Sequence, residues 1–213
     1  GRFIDWMLST VPTKGDHLQI MYGLRGERTL HEETLDHLSG YEGSSPGRIG
    51  NAAYHQEQHD IYGVLLDVIW LDVEARSRTP ENLDRVWTRI RTVARVVLTR
   101  WREPDRGIWE IRGETRHFVF SKVLCWVAID RAIRIARALG KNEWADEHVS
   151  VRDEIRADIW LRGWNERVGA FTQAYDGDDF DAANLLLADY GFLDSRDPRF
   201  IATVRQTQEQ LSR

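Results

Sequence analysis

Cysteine is almost absent from this sequence: among 213 residues only Cys125 is present, and it lies in an apolar run. A lone cysteine forms no intrachain disulfide, and a reducing compartment, the cytoplasm, is the expected location. The sequence also lacks an excess of basic residues, because it contains 29 Lys and Arg and 34 Asp and Glu. We therefore expect no nucleic-acid partner. No apolar run approaches the roughly 18 residues that cross a bilayer, so we expect no membrane association.

The composition that remains is that of a folded globular domain. Hydrophobic residues make up 42% of the chain and charged residues 30%, which argues against disorder. No charged-then-apolar targeting pattern opens the chain; residues 3–7 instead carry a helical pattern, and so do residues 197–213 at the other end. We therefore expect residues 1–213 to be part of one larger domain that is truncated at both ends.

Hydrophobic periodicity predicts an all-α fold in which buried and amphipathic helices alternate. Residues 79–101 and 143–160 carry apolar side chains on one face, whereas residues 51–70 and 121–139 are apolar nearly all round. Stacked pairs of inner and outer helices describe an α/α toroid. Residues 17–30 are the one strand candidate and predict a short β-hairpin.

Each predicted buried helix is preceded by a loop that contains glycine, aromatic and charged residues. These loops are residues 40–51, 106–121 and 163–181. Because equivalent loops of stacked helix pairs meet at one end of a toroid, we expect functional side chains there.

The loop at residues 106–114 is the most informative, because it places Trp109 and Glu110 between glycines. Cleavage of a glycosidic bond requires a protonated carboxylic acid near the leaving oxygen. An aromatic neighbour in a partly dry loop raises the pKa of a carboxyl group in the required sense. From chemistry alone, the favoured interpretation is a solvated loop glutamate paired with Arg112 or Arg116.

Three blocks of sequence resemble glycoside hydrolase family 15, the glucoamylase and bacterial trehalase group. The first reads Gly-Ile-Trp-Glu-Ile-Arg-Gly-Glu at 107–114 and continues through His-Phe at 117–118 into the buried helix at 121–131. The second is the Pro-Gly-Arg-Ile-Gly-Asn segment within residues 40–53, and the third is the Phe-Thr-Gln-Ala-Tyr block within residues 169–187.

The resemblance implies an (α/α)6 barrel of about a dozen helices and hydrolysis of α-glucosidic bonds with inversion. It assigns Glu110 as the catalytic general acid, with Trp109 and Arg112 forming its environment, and it places Arg48 near the bound sugar. Tyr41 is a loop aromatic residue whose ring could stack on a glucose ring. The expected substrate-binding residues are thus Trp109, Arg112, Arg48 and Tyr41, with no cofactor and no metal ion.

Two parts of the family pattern have no match in the sequence. One is an upstream Trp-Leu-Arg-Asp segment, and the other is the late loop whose glutamate acts as the catalytic base. We therefore expect the chain to supply only the general-acid half of the site and to be inactive alone. The expected substrate is trehalose or another α-glucoside, such as maltooligosaccharide. The alternative is a noncatalytic carbohydrate-binding or structural α/α domain.

Two clusters resemble metal sites superficially. His55 and His59 are four residues apart, a spacing that zinc sites use on helices, but the pattern of zinc proteases is absent and buried or groove-lining histidines are expected. The acidic residues within 176–181 lack the spacing of a calcium loop, and Asp181 is expected to cap the helix that follows. Three loop aromatics remain open between packing and sugar stacking: Trp164, Phe171 and Tyr175.

Overall fold

The computed structural model describes residues 2–10, 18–75 and 80–212. The chain forms two compact units, one comprising Gln19–Glu57 and the other Gly1–Leu18 with Gln58–Arg213. Within the described residues the α-helices are α1 (Arg2–Thr10), α2 (Asp60–Glu74), α3 (Pro80–Arg100), α4 (Val119–Ala138), α5 (Asn142–Arg162) and α6 (Pro198–Leu211). The antiparallel strand pairs are β1 (Glu33–Leu35) with β2 (Gly47–Ile49) and β3 (Trp164–Asn165) with β4 (Ala170–Phe171). The predicted all-α class is confirmed.

Helix α4 forms the core of the larger unit. Residues 119–133 are all buried, as expected for a helix that is apolar nearly all round. Helices α2, α3 and α5 pack against it. Helix α2 approaches α4 closely at Gly63, where a Cβ atom would lie 2.3 Å from the carbonyl oxygen of Leu124. Glycine is therefore required at this crossing, because any side chain would separate the two helix backbones.

The charged residues buried in α4 have partners. The guanidinium group of Arg131 donates to Asp67 and to Asp130, with both distances at 2.7 Å, and to the carbonyl oxygen of Tyr190 at 2.9 Å. Pairing of this kind compensates for much of the free energy lost when the charges leave water. Among the described residues, no helix is both long enough and apolar enough to cross a membrane.

The predicted helices agree with the structure except at some ends. Helices α3, α4, α5 and α6 match their predicted spans within a few residues, and Asp197 caps α6 by accepting from the backbone N–H of Arg199 at 2.8 Å. The predicted capping residue of α3, Thr79, lies outside the described residues. Gly140 follows α4 with a φ of 70°, a left-handed conformation typical of the residue after a helix.

The predicted helix at residues 51–70 is wrong for its first nine residues, 51–59. Residues 52–55 form a 3₁₀ helix, which Asn51 caps by accepting from the N–H of Ala53 at 2.9 Å, and α2 begins only at Asp60. The backbone N–H of His59 donates instead to the carboxylate of Asp105 at 2.8 Å. A long-range contact thus decides where α2 begins. His55 and His59 therefore do not share a helix face, and the zinc-like spacing has no structural counterpart.

The short hairpin lies elsewhere than predicted. The described residues 18–30 contain a turn, closed by a hydrogen bond from the N–H of Gly26 to the oxygen of Gly23 at 2.9 Å, but no strand. Two side-chain bonds from Gln19 to the carbonyl oxygens of Met21 and Arg28, at 2.7 and 2.6 Å, occupy acceptors that a strand partner would use. Strand pairing occurs downstream, between β1 and β2.

Candidate active site

The loop that carries Glu110 is closed at its base by a pair of backbone hydrogen bonds. Asp105 and Arg116 each donate an N–H to the other's carbonyl oxygen, both at 2.9 Å. The side chain of Asp105 is fully buried, and burial raises the pKa of its carboxyl group. Its carboxylate also holds the N–H of His59 at 2.8 Å, so the loop base is joined to the start of α2.

Glu110 lies at the end of a tight turn. Its N–H donates to the carbonyl oxygen of Gly107 at 3.3 Å, and the two residues have φ values of 52° and 67°. Positive φ is uncommon outside glycine, so the surrounding structure must hold Glu110 in this conformation. A Cβ atom at Gly107 would lie 2.9 Å from the ring of Phe118, so the turn also needs glycine for space. The side chain of Glu110 is half-buried.

Trp109 is exposed and nevertheless anchored. Its side chain is 57% exposed, and its indole N–H donates to the carboxylate of Asp181 at 2.8 Å. Arg112 follows in an exposed bend. Three of the predicted site residues, Glu110, Trp109 and Arg112, therefore share one surface loop, in which an apolar ring, a carboxyl group and a cation lie within four positions.

The second predicted loop, residues 163–181, lies against the first. Val119 donates its N–H to the oxygen of Gln173, and Tyr175 donates its N–H to the oxygen of His117, both at 2.9 Å. These bonds place the loop at 163–181 beside the end of the Glu110 loop, as the predicted layout of helix pairs requires for these two loops.

Of the three loop aromatic residues that could either pack in the protein or stack on a sugar, two are packing residues. Phe171 is fully buried, with its ring 5.5 Å from that of the half-buried Trp164. Tyr175 is 6% exposed, stacks on His117 at 5.8 Å and donates its hydroxyl to Asp158 at 2.9 Å. A sugar-stacking role is therefore wrong for Phe171 and Tyr175, because their rings already pack against protein.

The carboxylates near residue 180 are used within the fold. Asp178 accepts from Asn165 at 2.9 Å and pairs with Arg167, and Asp179 lies 3.9 Å from the guanidinium of Arg116. Asp181 accepts from the N–H of Ala183 at 2.8 Å and caps the 3₁₀ helix Ala182–Leu186, as predicted. Its second bond, to Trp109, joins residues 72 positions apart, and nothing in the sequence signals it.

The remaining predicted site residues, Arg48 and Tyr41, belong to the smaller unit. Arg48 lies in β2 opposite Thr34 of β1, and its guanidinium is 3.5 Å from the carboxylate of Glu32. Tyr41 begins a 3₁₀ turn and is 83% exposed. An exposed aromatic ring and a partly exposed arginine on one hairpin are compatible with sugar contact, and their role stays a prediction.

Sequence reasoning also missed the buried lysine behind the loop. Lys122 of α4 is 1% exposed, and its ammonium group donates to the carbonyl oxygens of Trp101 at 2.6 Å and of Glu103. Burial lowers the pKa of this ammonium group. The apolar pattern of α4 gave no sign that a cation would tie the end of α3 to the helix core.

Comparison with known proteins gives one consistent result. The family model described as glycosyl hydrolases family 15 matches residues 1–213. The chain is 45% identical over 195 residues to a trehalase of Mycolicibacterium smegmatis and 46% identical over 195 residues to a trehalase of Mycobacterium tuberculosis, covering 92% of the chain each time. It is 36% identical over 211 residues, 99% of the chain, to trehalase 2 of Sulfolobus acidocaldarius.

The matched region is only a part of each relative. It covers 29% of the M. smegmatis protein, 28% of the M. tuberculosis protein and 36% of the S. acidocaldarius protein. No solved structure matches the chain.

Proposed function

The chain belongs to glycosyl hydrolases family 15, and on that premise we propose that it is the general-acid-bearing part of an enzyme that hydrolyses the glucosidic bond of trehalose. The family match along the whole chain supports a glycosidase, and the names of the relatives favour trehalose among α-glucosides. The observation that carries the proposal is Glu110, half-buried on a constrained turn beside the exposed ring of Trp109.

In this mechanism the carboxyl group of Glu110 donates its proton to the oxygen that joins the two glucose units. A second carboxylate, supplied by sequence beyond this chain, removes a proton from a water on the opposite face of the ring. The C–O bond breaks as the water attacks, and trehalose yields one β-glucose and one α-glucose. The attacked carbon inverts, whereas the departing glucose keeps its configuration.

The local structure suits an acid that must act in one orientation. The positive φ of Glu110 and the closed loop base limit the directions in which its side chain points. Trp109 offers an apolar face beside the carboxyl group, and such faces pack well against the C–H side of a sugar ring. Arg112 places a cation on the same loop, where it suits hydrogen bonding to sugar hydroxyl groups.

The test replaces Glu110 with glutamine in the full-length gene product. General acid catalysis contributes about 10²- to 10⁴-fold in rate, so kcat on trehalose should fall by that factor in E110Q. Glu114, an exposed glutamate on the same loop, provides the matched control, and E114Q should stay within a few-fold of the wild type. Activity of E110Q close to that of the wild type would remove Glu110 from the mechanism.

A second measurement addresses stereochemistry and the rival interpretation. Proton NMR of the first products should show β-glucose appearing at the rate of trehalose loss, before mutarotation; release of α-glucose alone would indicate retention. A full-length protein that binds trehalose or maltose without hydrolysing either would instead be a noncatalytic carbohydrate-binding member of the family.

A further inference from the structure

We propose that Asp181 is a positioning residue for the catalytic acid: by holding the indole N–H of Trp109, it fixes the part of the loop from which Glu110 acts. The inference rests on the proposed function, because it assigns Asp181 a role in orienting the acid of that reaction. Asp181 does not itself touch the reacting atoms in this scheme; it acts through Trp109.

A single carboxylate oxygen of Asp181 accepts both hydrogen bonds. Oδ1 of Asp181 accepts from the indole N–H of Trp109 and from the backbone N–H of Ala183, both at 2.8 Å. The side chain of Asp181 is 4% exposed, whereas Trp109 is 57% exposed. An indole with this much exposed surface has little packing to hold it, so a hydrogen bond to a buried and fixed side-chain oxygen restricts its motion.

The group that holds the indole is itself fixed to the core. The N–H of Gln173 donates to the oxygen of Asp179 at 2.7 Å, two residues before Asp181. After Asp181, the amide of Asn184 donates to the carbonyl oxygens of Phe171 and Thr172 at 3.3 and 2.9 Å. Phe171 and Thr172 are buried, so Asp181 lies between two attachments to the interior.

Hydrogen bonds hold the Glu110 loop both at its base and near its tip. The pair Asp105 and Arg116 closes the base, and the turn at Gly107 is local. The bond from Trp109 to Asp181 is a long-range contact that reaches the tip, one residue before Glu110. Because Glu110 holds a positive φ, a movement of the peptide that precedes it redirects its carboxyl group.

Asp181 also caps a helix, so the loss of a cap must be separated from the loss of the bond to Trp109. Asp197 provides the control for this purpose. Asp197 caps α6 with the same bond length, 2.8 Å, to the N–H two residues ahead. Asp197 forms no hydrogen bond with a tryptophan among residues 2–10, 18–75 and 80–212, and it precedes a helix that is remote from the Glu110 loop in sequence. D197A therefore removes a cap of the same kind without removing a contact to Trp109.

The experiment compares D181A, D181N, W109F and D197A in the full-length gene product on two substrates. Trehalose needs a proton on its leaving oxygen, whereas α-glucosyl fluoride loses fluoride without general acid help. Misplacing a catalytic group by about 1 Å costs about 10²-fold. D181A should lower kcat on trehalose by about 10- to 100-fold and leave α-glucosyl fluoride hydrolysis within about three-fold. D181N keeps the accepting oxygen and should stay within about three-fold of the wild type on both substrates, as should D197A.

Non-additivity tests the route through the indole. If Asp181 acts through Trp109, D181A should lower kcat on trehalose no further once W109F has removed the indole N–H. An additive double variant, an unchanged kcat in D181A, or equal losses on both substrates would overturn the proposal.

Failure of the proposed function gives a different result. A wild type that hydrolyses neither substrate would refute the glycosidase, and the contact could then be tested on its own. In fluorine NMR of fluorotryptophan-labelled protein, the Trp109 resonance, assigned by its loss in W109F, should move in D181A and not in D197A. A resonance unmoved by D181A would overturn the contact itself.

Discussion

Asp60, the first residue of α2, has its carboxyl group buried next to that of Asp105, and replacing it with asparagine should change how stability depends on pH. Burial, followed by the neighbouring charge of Asp105, raises the pKa of Asp60 from 3.8 to about 7. The folded protein therefore binds a proton at this site over a pH range in which the unfolded chain has released it.

The sign and size of the effect follow from linkage. Because the pKa in the folded state is the higher one, the stabilisation is complete below about pH 4 and is lost as the pH rises to about 7. Each pKa unit corresponds to about 1.4 kcal/mol, so the free energy of unfolding falls by about 4 kcal/mol over this whole pH range. Between pH 5 and pH 8, Asp60 should account for a loss of about 3 kcal/mol in the free energy of unfolding. In D60N this contribution is absent.

Urea titrations of the wild type and D60N at pH 5 and pH 8 measure this difference directly. Asp194 provides the control, because it is exposed and bonds to Arg196 lower the pKa of its carboxyl group. It stays ionised in folded and unfolded protein throughout this window, so D194N should leave the difference between the two pH values unchanged. An equal pH dependence in D60N and the wild type would refute the reasoning.

Two further substitutions test the framework around the site. G107A should lower the thermal midpoint and the kcat on trehalose more than G169A does. Both glycines have a positive φ, so each substitution should lower the free energy of unfolding by about 1–2 kcal/mol. Only at Gly107 does the new Cβ atom also approach the ring of Phe118, at 2.9 Å. Equal effects in the two variants would show that the ring contact does not matter. K122M removes a buried ammonium group from two backbone carbonyl oxygens and should destabilise the protein by about 1.5–3 kcal/mol or more, measured by thermal unfolding; an unchanged midpoint would contradict the structural role of Lys122.

Much of the helical framework could be predicted because helix signals are local. The uninterrupted apolar run of α4 predicted its burial, and the one-faced pattern of α3 predicted a helix that packs on one side. Capping by Asp181 and Asp197 was also readable, since a cap needs only a carboxylate and an N–H two residues ahead. The ring closure of an (α/α)6 barrel remains a prediction from the family.

The errors have one physical origin in long-range contacts. Residues 51–59 carry a helical pattern, but the bond from His59 to Asp105 starts α2 at Asp60. Phe171 and Tyr175 have the composition of sugar platforms, but their neighbours from α5 and from the loop at 106–118 cover both rings. Residue type alone does not say whether an aromatic ring in a loop faces protein or water.

The sequence by itself determined the all-α class, most helix boundaries, the family and the position of Glu110 on a glycine-bounded loop. These depend on periodicity, capping and short motifs, all of which act over a few residues. Only the tertiary structure decided that Trp109 is held by Asp181, that Lys122 ties α3 to α4, and that Asp60 and Asp105 lie together in the core. Such pairs are separated by many positions along the chain, and the packing of the helices brings them together.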